Sequence, residues 1–129
     1  MKIEHIAIWT QDLENLKHFY ETYFGAKSGS KYQNLEKQFS SYFLTFSSGA
    51  RLELMSMASI KALDLPATAQ HIGLIHVAFS LGSKENVDRC YAQFRASGLN
   101  LLDSPRVTGD GYYEFTLLDP DGNRIEVTA

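Results

Sequence analysis

The chain has 129 residues, the size of one compact domain. Apolar residues make up 44% of it, with eight Phe, seven Tyr and one Trp, which is ample for a core. A net charge of −3 and the lack of a long apolar run exclude a basic nucleic-acid footprint and a helical membrane span. Met1-Lys2-Ile3-Glu4-His5 enters a strand pattern directly, without a signal-peptide core, so a cytoplasmic location is expected. The single cysteine, Cys90, permits no intrachain disulfide, and its place among apolar helix positions reads as a packed thiol rather than a nucleophile.

Residues 3–8 (Ile-Glu-His-Ile-Ala-Ile) alternate as a strand. Leu13, Leu16, Phe19, Tyr20, Tyr23 and Phe24 then recur at helical spacing, with Thr10 or Asp12 as the cap and Gly25 as the stop. Strand-like runs follow over 26–33, 40–47 and 50–56, the last two separated by the turn Ser47-Ser48-Gly49. The polar stretch 27–38 reads as an exposed hairpin, with a mobile flap as the alternative. Residues 57–72, with Pro66 and several alanines, read as a connector with room for one short helix.

The same order then returns. Residues 74–79 (Leu-Ile-His-Val-Ala-Phe) answer 3–8 at an offset of 71. Val87, Cys90, Tyr91 and Phe94 form the helical stripe, capped by Ser83 and stopped at Gly98. Strand runs lie over 100–107, 112–118 and 123–128, and Asp119-Pro120-Asp121-Gly122 makes the hairpin turn. Gly122-Asn123-Arg124-Ile125-Glu126-Val127 answers Gly49-Ala50-Arg51-Leu52-Glu53-Leu54 at an offset of 73. The expected fold is α+β: one domain of two tandem βαβββ modules, 1–56 and 73–129, forming curved mixed sheets around a metal-binding trough.

Alternation along a strand sorts side chains into two faces. His5, Ala7 and Trp9 share a face; so do Arg51, Glu53 and Met55; His76, Ala78 and Ser80; and Arg124, Glu126 and Thr128. The opposite faces are aliphatic and suit packing under each helix. A His or Glu among Trp9, Met55 and alanines belongs to a partly enclosed face, where an unpartnered charge is costly. A divalent cation gives His5, Glu53, His76 and Glu126 a common partner, and a set of two nitrogens and two oxygens suits Zn, Ni, Co, Mn or Fe(II) better than Ca. Arg51 and Arg124 either support a neighbouring carboxylate or line the pocket for an anionic substrate. His18 and His71 read as surface residues.

With these residues in view, the chain resembles the vicinal-oxygen-chelate superfamily, which includes glyoxalase I, methylmalonyl-CoA epimerase, fosfomycin resistance proteins, bleomycin-binding proteins and extradiol dioxygenases. The resemblance spans essentially the whole chain and rests on the His of residues 3–8, its echo at His76, and the ending Asp119-Pro120-Asp121-Gly122-Asn123-Arg124-Ile125-Glu126. It implies metal ligands on the first and fourth strands of each module, at His5, Glu53, His76 and Glu126. It also implies a homodimer with shared sites and a small-molecule substrate. A His-Glu-His-Glu set is most like glyoxalase I within the group. The glutathione contacts of that enzyme are missing, because Trp9 stands where an Arg is usual and Leu54-Met55-Ser56-Met57-Ala58 lacks the usual Asn.

The first functional reading is a glyoxalase-type lyase or isomerase acting on vicinal oxygens through a metal-stabilised enediolate, with Glu53 or Glu126 as general base. Trp9, Met55 and Tyr113, with Arg51 and Arg124, are the expected substrate wall. The alternatives are a module that binds a small aromatic compound and an Fe(II) extradiol-type dioxygenase with Glu53 as an extra ligand.

Overall fold

The computed structural model describes residues 1–62 and 64–129. The chain forms two compact units, Met1–Asp64 and Leu65–Ala129.

The first unit opens with β1 (His5–Trp9) and α1 (Leu13–Phe24). Asp12 caps the helix by accepting a hydrogen bond from the Asn15 amide at 3.1 Å, while Thr10 accepts one from the Asp12 amide. Gly25 closes it in the left-handed region (φ 64°), where a side chain would be strained. Next come β2 (Lys27–Ser28), β3 (Tyr32–Asn34), β4 (Phe39–Thr45) and β5 (Arg51–Met57). The strand run expected over 26–33 is thus broken into two short pieces around Gly29, each pairing antiparallel with a different part of β4. The sheet order is β1-β5-β4-β2, with β1 and β5 parallel.

The second unit repeats the plan with β6 (His76–Ser80), α2 (Lys84–Ala96), β7 (Arg106–Val107), β8 (Tyr113–Leu118) and β9 (Arg124–Thr128). Its order is β6-β9-β8-β7, with β6 and β9 parallel. Ser83 caps α2 through the Asn86 amide, and Gly98 turns the chain out at φ 74°. The strand expected over 100–107 shrinks to β7 and an isolated bridge between Leu101 and Leu117. The described part of the connector forms turns and bends, with no helix among its described residues.

Alternation decides what each sheet buries. In the first unit Leu44, Leu52 and Leu54 meet the apolar stripe Leu13, Leu16, Phe19 and Tyr20 of α1, and all seven are buried. In the second, Phe115, Leu117, Ile125 and Val127 meet Val87 and Phe94 of α2. Each large aliphatic side chain removed from water in this way contributes about 1.5–3 kcal/mol. The other face of each sheet is therefore free of the helix.

Candidate metal centre

In the first module His5 and Glu53 sit on adjacent parallel strands. The ladder pairs His5 with Arg51 and Ala7 with Glu53, so the glutamate lies one step along from the imidazole on the helix-free face. His5 Nε2 is 3.8 Å from Glu53 Oε2. The second module repeats the register, pairing His76 with Arg124 and Ala78 with Glu126, and His76 Nε2 is 3.2 Å from Glu126 Oε2.

The glutamates are the sheltered partners. Their side chains are 15% and 21% exposed, against 40% and 37% for the two imidazoles. A half-sheltered carboxylate facing an imidazole nitrogen is a donor pair suited to a divalent cation. Among the described residues no group of three or more His, Cys, Asp or Glu side chains forms a ready-made cage. His5 with Glu53 and His76 with Glu126 form one candidate pair in each module.

Around the first pair the surroundings are aromatic. His5 meets Phe43 edge-on with ring centres 5.3 Å apart. Trp9 meets Phe39 edge-on at 6.0 Å, and Phe39 also contacts Tyr32. Met55 pairs with Trp9 across the ladder, so it extends the same wall.

Around the second pair the equivalent ladder positions are polar. Trp9 opposite Met55 is answered by Ser80 opposite Thr128, and Phe43 opposite Glu53 by Thr116 opposite Glu126. Glu114 stands opposite Thr128 where Ser41 faces Met55, and Arg106 stands opposite Glu114 where Tyr32 faces Ser41. Arg106 bonds Asp103 at 3.0 Å and approaches Glu114 at 3.9 Å. Burial pushes the Glu114 carboxyl up, as does the Glu126 charge, while Arg106 pulls it down. Alternation in β8 read against β9 places Glu114 on this face, and pairing of β7 with β8 brings Arg106 beside it.

The two arginines differ. Arg51 reaches Glu4, with Nη2 2.5 Å from Oε1, and lies over the Phe43 ring at 4.0 Å. It thus supports a carboxylate, but that of Glu4 rather than Glu53. Among the described residues its enclosed Nε finds no acceptor. Arg124 donates instead to the Thr68 carbonyl at 3.3 Å.

Tyr113 is a correction to the expected substrate wall. Glu114 and Thr116 take the face shared with Glu126, so Tyr113 falls on the helix face. There its hydroxyl donates to Asp88 of α2 at 2.6 Å, and Lys84 lies over its ring. His18 contacts only Thr22 of its own helix among the bonds described, and His71 only the neighbouring Ile72 carbonyl, in keeping with surface roles.

No helix among the described residues is long and apolar enough to cross a membrane. A possible glyoxalase from Bacillus cereus superposes with a TM-score of 0.74 at 25% identity, covering 100% of this chain and 99% of that one. The trypanothione-dependent glyoxalase I of Leishmania major superposes with a TM-score of 0.77 at 21% identity, covering 99% and 86%, a likeness of fold alone. YqjT of Bacillus subtilis (strain 168), an uncharacterized protein, is 25% identical over 130 residues, covering 98% of each chain. The profile of the Glyoxalase/Bleomycin resistance protein/Dioxygenase superfamily matches residues 2–127. With that match over nearly its whole length, and with two βαβββ halves of equal register, the chain belongs to the Glyoxalase/Bleomycin resistance protein/Dioxygenase superfamily.

Proposed function

We propose that the protein is a metal-dependent lyase or isomerase of the glyoxalase type, with His5, Glu53, His76 and Glu126 as its divalent-metal ligands. The observation that carries this reading is the repeated pair: a His Nε2 within 3.8 Å and 3.2 Å of a Glu oxygen, at the same ladder positions of both modules. Donors of this kind fit Zn, Ni, Co, Mn or Fe(II), and the sheltered carboxylates gain a countercharge. Bound there, the ion supplies Lewis acidity toward adjacent substrate oxygens.

The chain's own residues supply the rest. Glu53 or Glu126 takes a proton from the hydroxyl-bearing carbon beside a carbonyl and returns it to the former carbonyl carbon, while the hydroxyl proton passes to the other oxygen. Such a transfer is internally balanced and needs no oxidant or reductant. Trp9, Phe39 and Met55 receive the apolar part of the substrate and exclude water, which strengthens charge interactions nearby. Arg51 and Arg124 flank the two pairs. The same reading expects a homodimer, which light scattering on the purified protein tests.

Metal analysis after equilibration with each of Ni, Co, Zn, Mn and Fe(II) tests the proposal. One ion per chain is expected, with loss of stoichiometric binding in His5→Ala and His76→Ala. A wild-type protein that retains none of the five metals overturns it.

The aromatic wall supports a second reading, a module that binds a small aromatic compound without turnover. That reading requires ligand affinity to survive both Glu53→Gln and chelation. Oxygen uptake with catechols separates both readings from a dioxygenase.

A further inference from the structure

The internal repeat allows each module to serve as a control for the other. The two candidate ligand pairs share their ladder register, but they differ at the residue before each histidine: Glu4 precedes His5, and Ile75 precedes His76. Glu4 uses both of its oxygens. Oε2 lies 2.5 Å from His5 Nδ1, and Oε1 lies 2.5 Å from Arg51 Nη2. The Glu4 carbonyl also accepts the Arg51 amide at 3.0 Å, so backbone and side chain hold the two residues in one place. Phe43 completes the arrangement, with the Arg51 guanidinium over its face and the His5 ring against it edge-on.

A carboxylate oxygen accepts hydrogen bonds and donates none, so the proton of a neutral His5 ring belongs on Nδ1. Nε2, the nitrogen turned toward Glu53, then carries the lone pair. A carboxylate behind a ligating imidazole fixes the tautomer and ring orientation and raises the basicity of the nitrogen in front. Among the described residues, the second module shows no such group. Ile75 brings no acceptor, and Arg124, the counterpart of Arg51, donates to the Thr68 carbonyl.

We propose that Glu4, braced by Arg51, is a positioning residue that fixes His5 as the Nδ1–H tautomer with Nε2 free to ligate, and that His5 and His76 are therefore unequal donors. The proposal rests on the reading of His5 as a ligand only for its consequence in metal binding. The tautomer itself is a property of the metal-free chain.

Long-range ¹H–¹⁵N spectra of the metal-free protein at about pH 8, where imidazoles are mostly neutral, read the tautomers directly. The expected result is Nδ1–H for His5 in wild type, a shift toward Nε2–H in Glu4→Ala, and no change at His76 in either. Glu4→Gln retains an acceptor oxygen and keeps part of the Nδ1–H population. A competition titration with Zn against a chromogenic chelator supplies the second arm. Glu4→Ala is expected to weaken Zn binding about 10- to 100-fold, the range for lost outer partners, with Glu4→Gln between it and wild type.

The outcomes are separable. A wild-type His5 found as Nε2–H, or Zn affinity unchanged in Glu4→Ala, overturns the proposal while leaving the metal site intact. A protein that binds none of the five metals but shows the tautomer shift retains Glu4 as the positioning group and removes the proposed function instead. Glu4 lies on the surface at the start of a strand, and an unchanged melting temperature in the variants separates positioning from support of the fold.

Discussion

Trp9 and Ser80 occupy the same ladder position in the two modules, the first facing Met55 and the second Thr128. The repeat preserves the backbone and the His and Glu pair while reversing the chemistry beside them. The first module places Phe43 and Trp9 at ladder positions where the second places Thr116 and Ser80.

Trp9→Ser copies the second module's residue into the first. It should weaken binding of an apolar substrate several-fold, since an aromatic contact is worth about 1 kcal/mol beyond its buried area. Metal stoichiometry should stay as in wild type. Trp9 is the single tryptophan, so quenching of its fluorescence by ligand reports on the wall alone.

Glu53→Gln and Glu126→Gln should separate the base from the supporting carboxylate. The variant lacking the base should lose about 10²- to 10⁴-fold in turnover. Exchange of the substrate's α-proton for solvent deuterium should fall in parallel. The other variant should lose metal affinity more than it loses exchange per bound ion.

Phe115 is fully buried and meets Tyr91 and Phe94. Phe115→Ala should cost about 3–5 kcal/mol in urea unfolding, the range for deleting a core aromatic ring. Gly25→Ala should cost about 1 kcal/mol, since the new methyl meets nothing within 4 Å and the penalty is that of the left-handed backbone.

Burial pushes the Cys90 thiol up to about 11. Alkylation of the native protein at about pH 8 should run about 100-fold slower than after unfolding, because the thiolate is that much rarer. The folded value lies above the unfolded one, so this contribution to stability is complete below about pH 9. It fades as pH rises toward about 11. Tyr113 shifts the same way, chiefly through its bond to Asp88. Tyr113→Phe should therefore lower stability near neutrality, and the gap to wild type should narrow above about pH 10.

Much of the fold was legible because its signals are local. The repeated His and Glu blocks, the two helical stripes, the caps Asp12 and Ser83 and the stops Gly25 and Gly98 all follow from spacing and turn chemistry. Strand parity also sorted His5, Glu53, His76 and Glu126 onto helix-free faces. Tyr113 carried no such parity argument: its face is set by the register of β8 against β9, which residue spacing does not give. The Glu4 contacts were hidden for another reason. One joins the sequence neighbours Glu4 and His5 and the other reaches Arg51 on β5, and in both rotamer choice rather than alternation sets the partner.

The division of each sheet into a helix-bound face and a free face has a consequence for how such proteins diverge. Substitutions at every second strand residue leave the packed layer untouched, so the chemistry can drift while the architecture persists. That separation accounts for a shared backbone among relatives with only a quarter or a fifth of their residues in common.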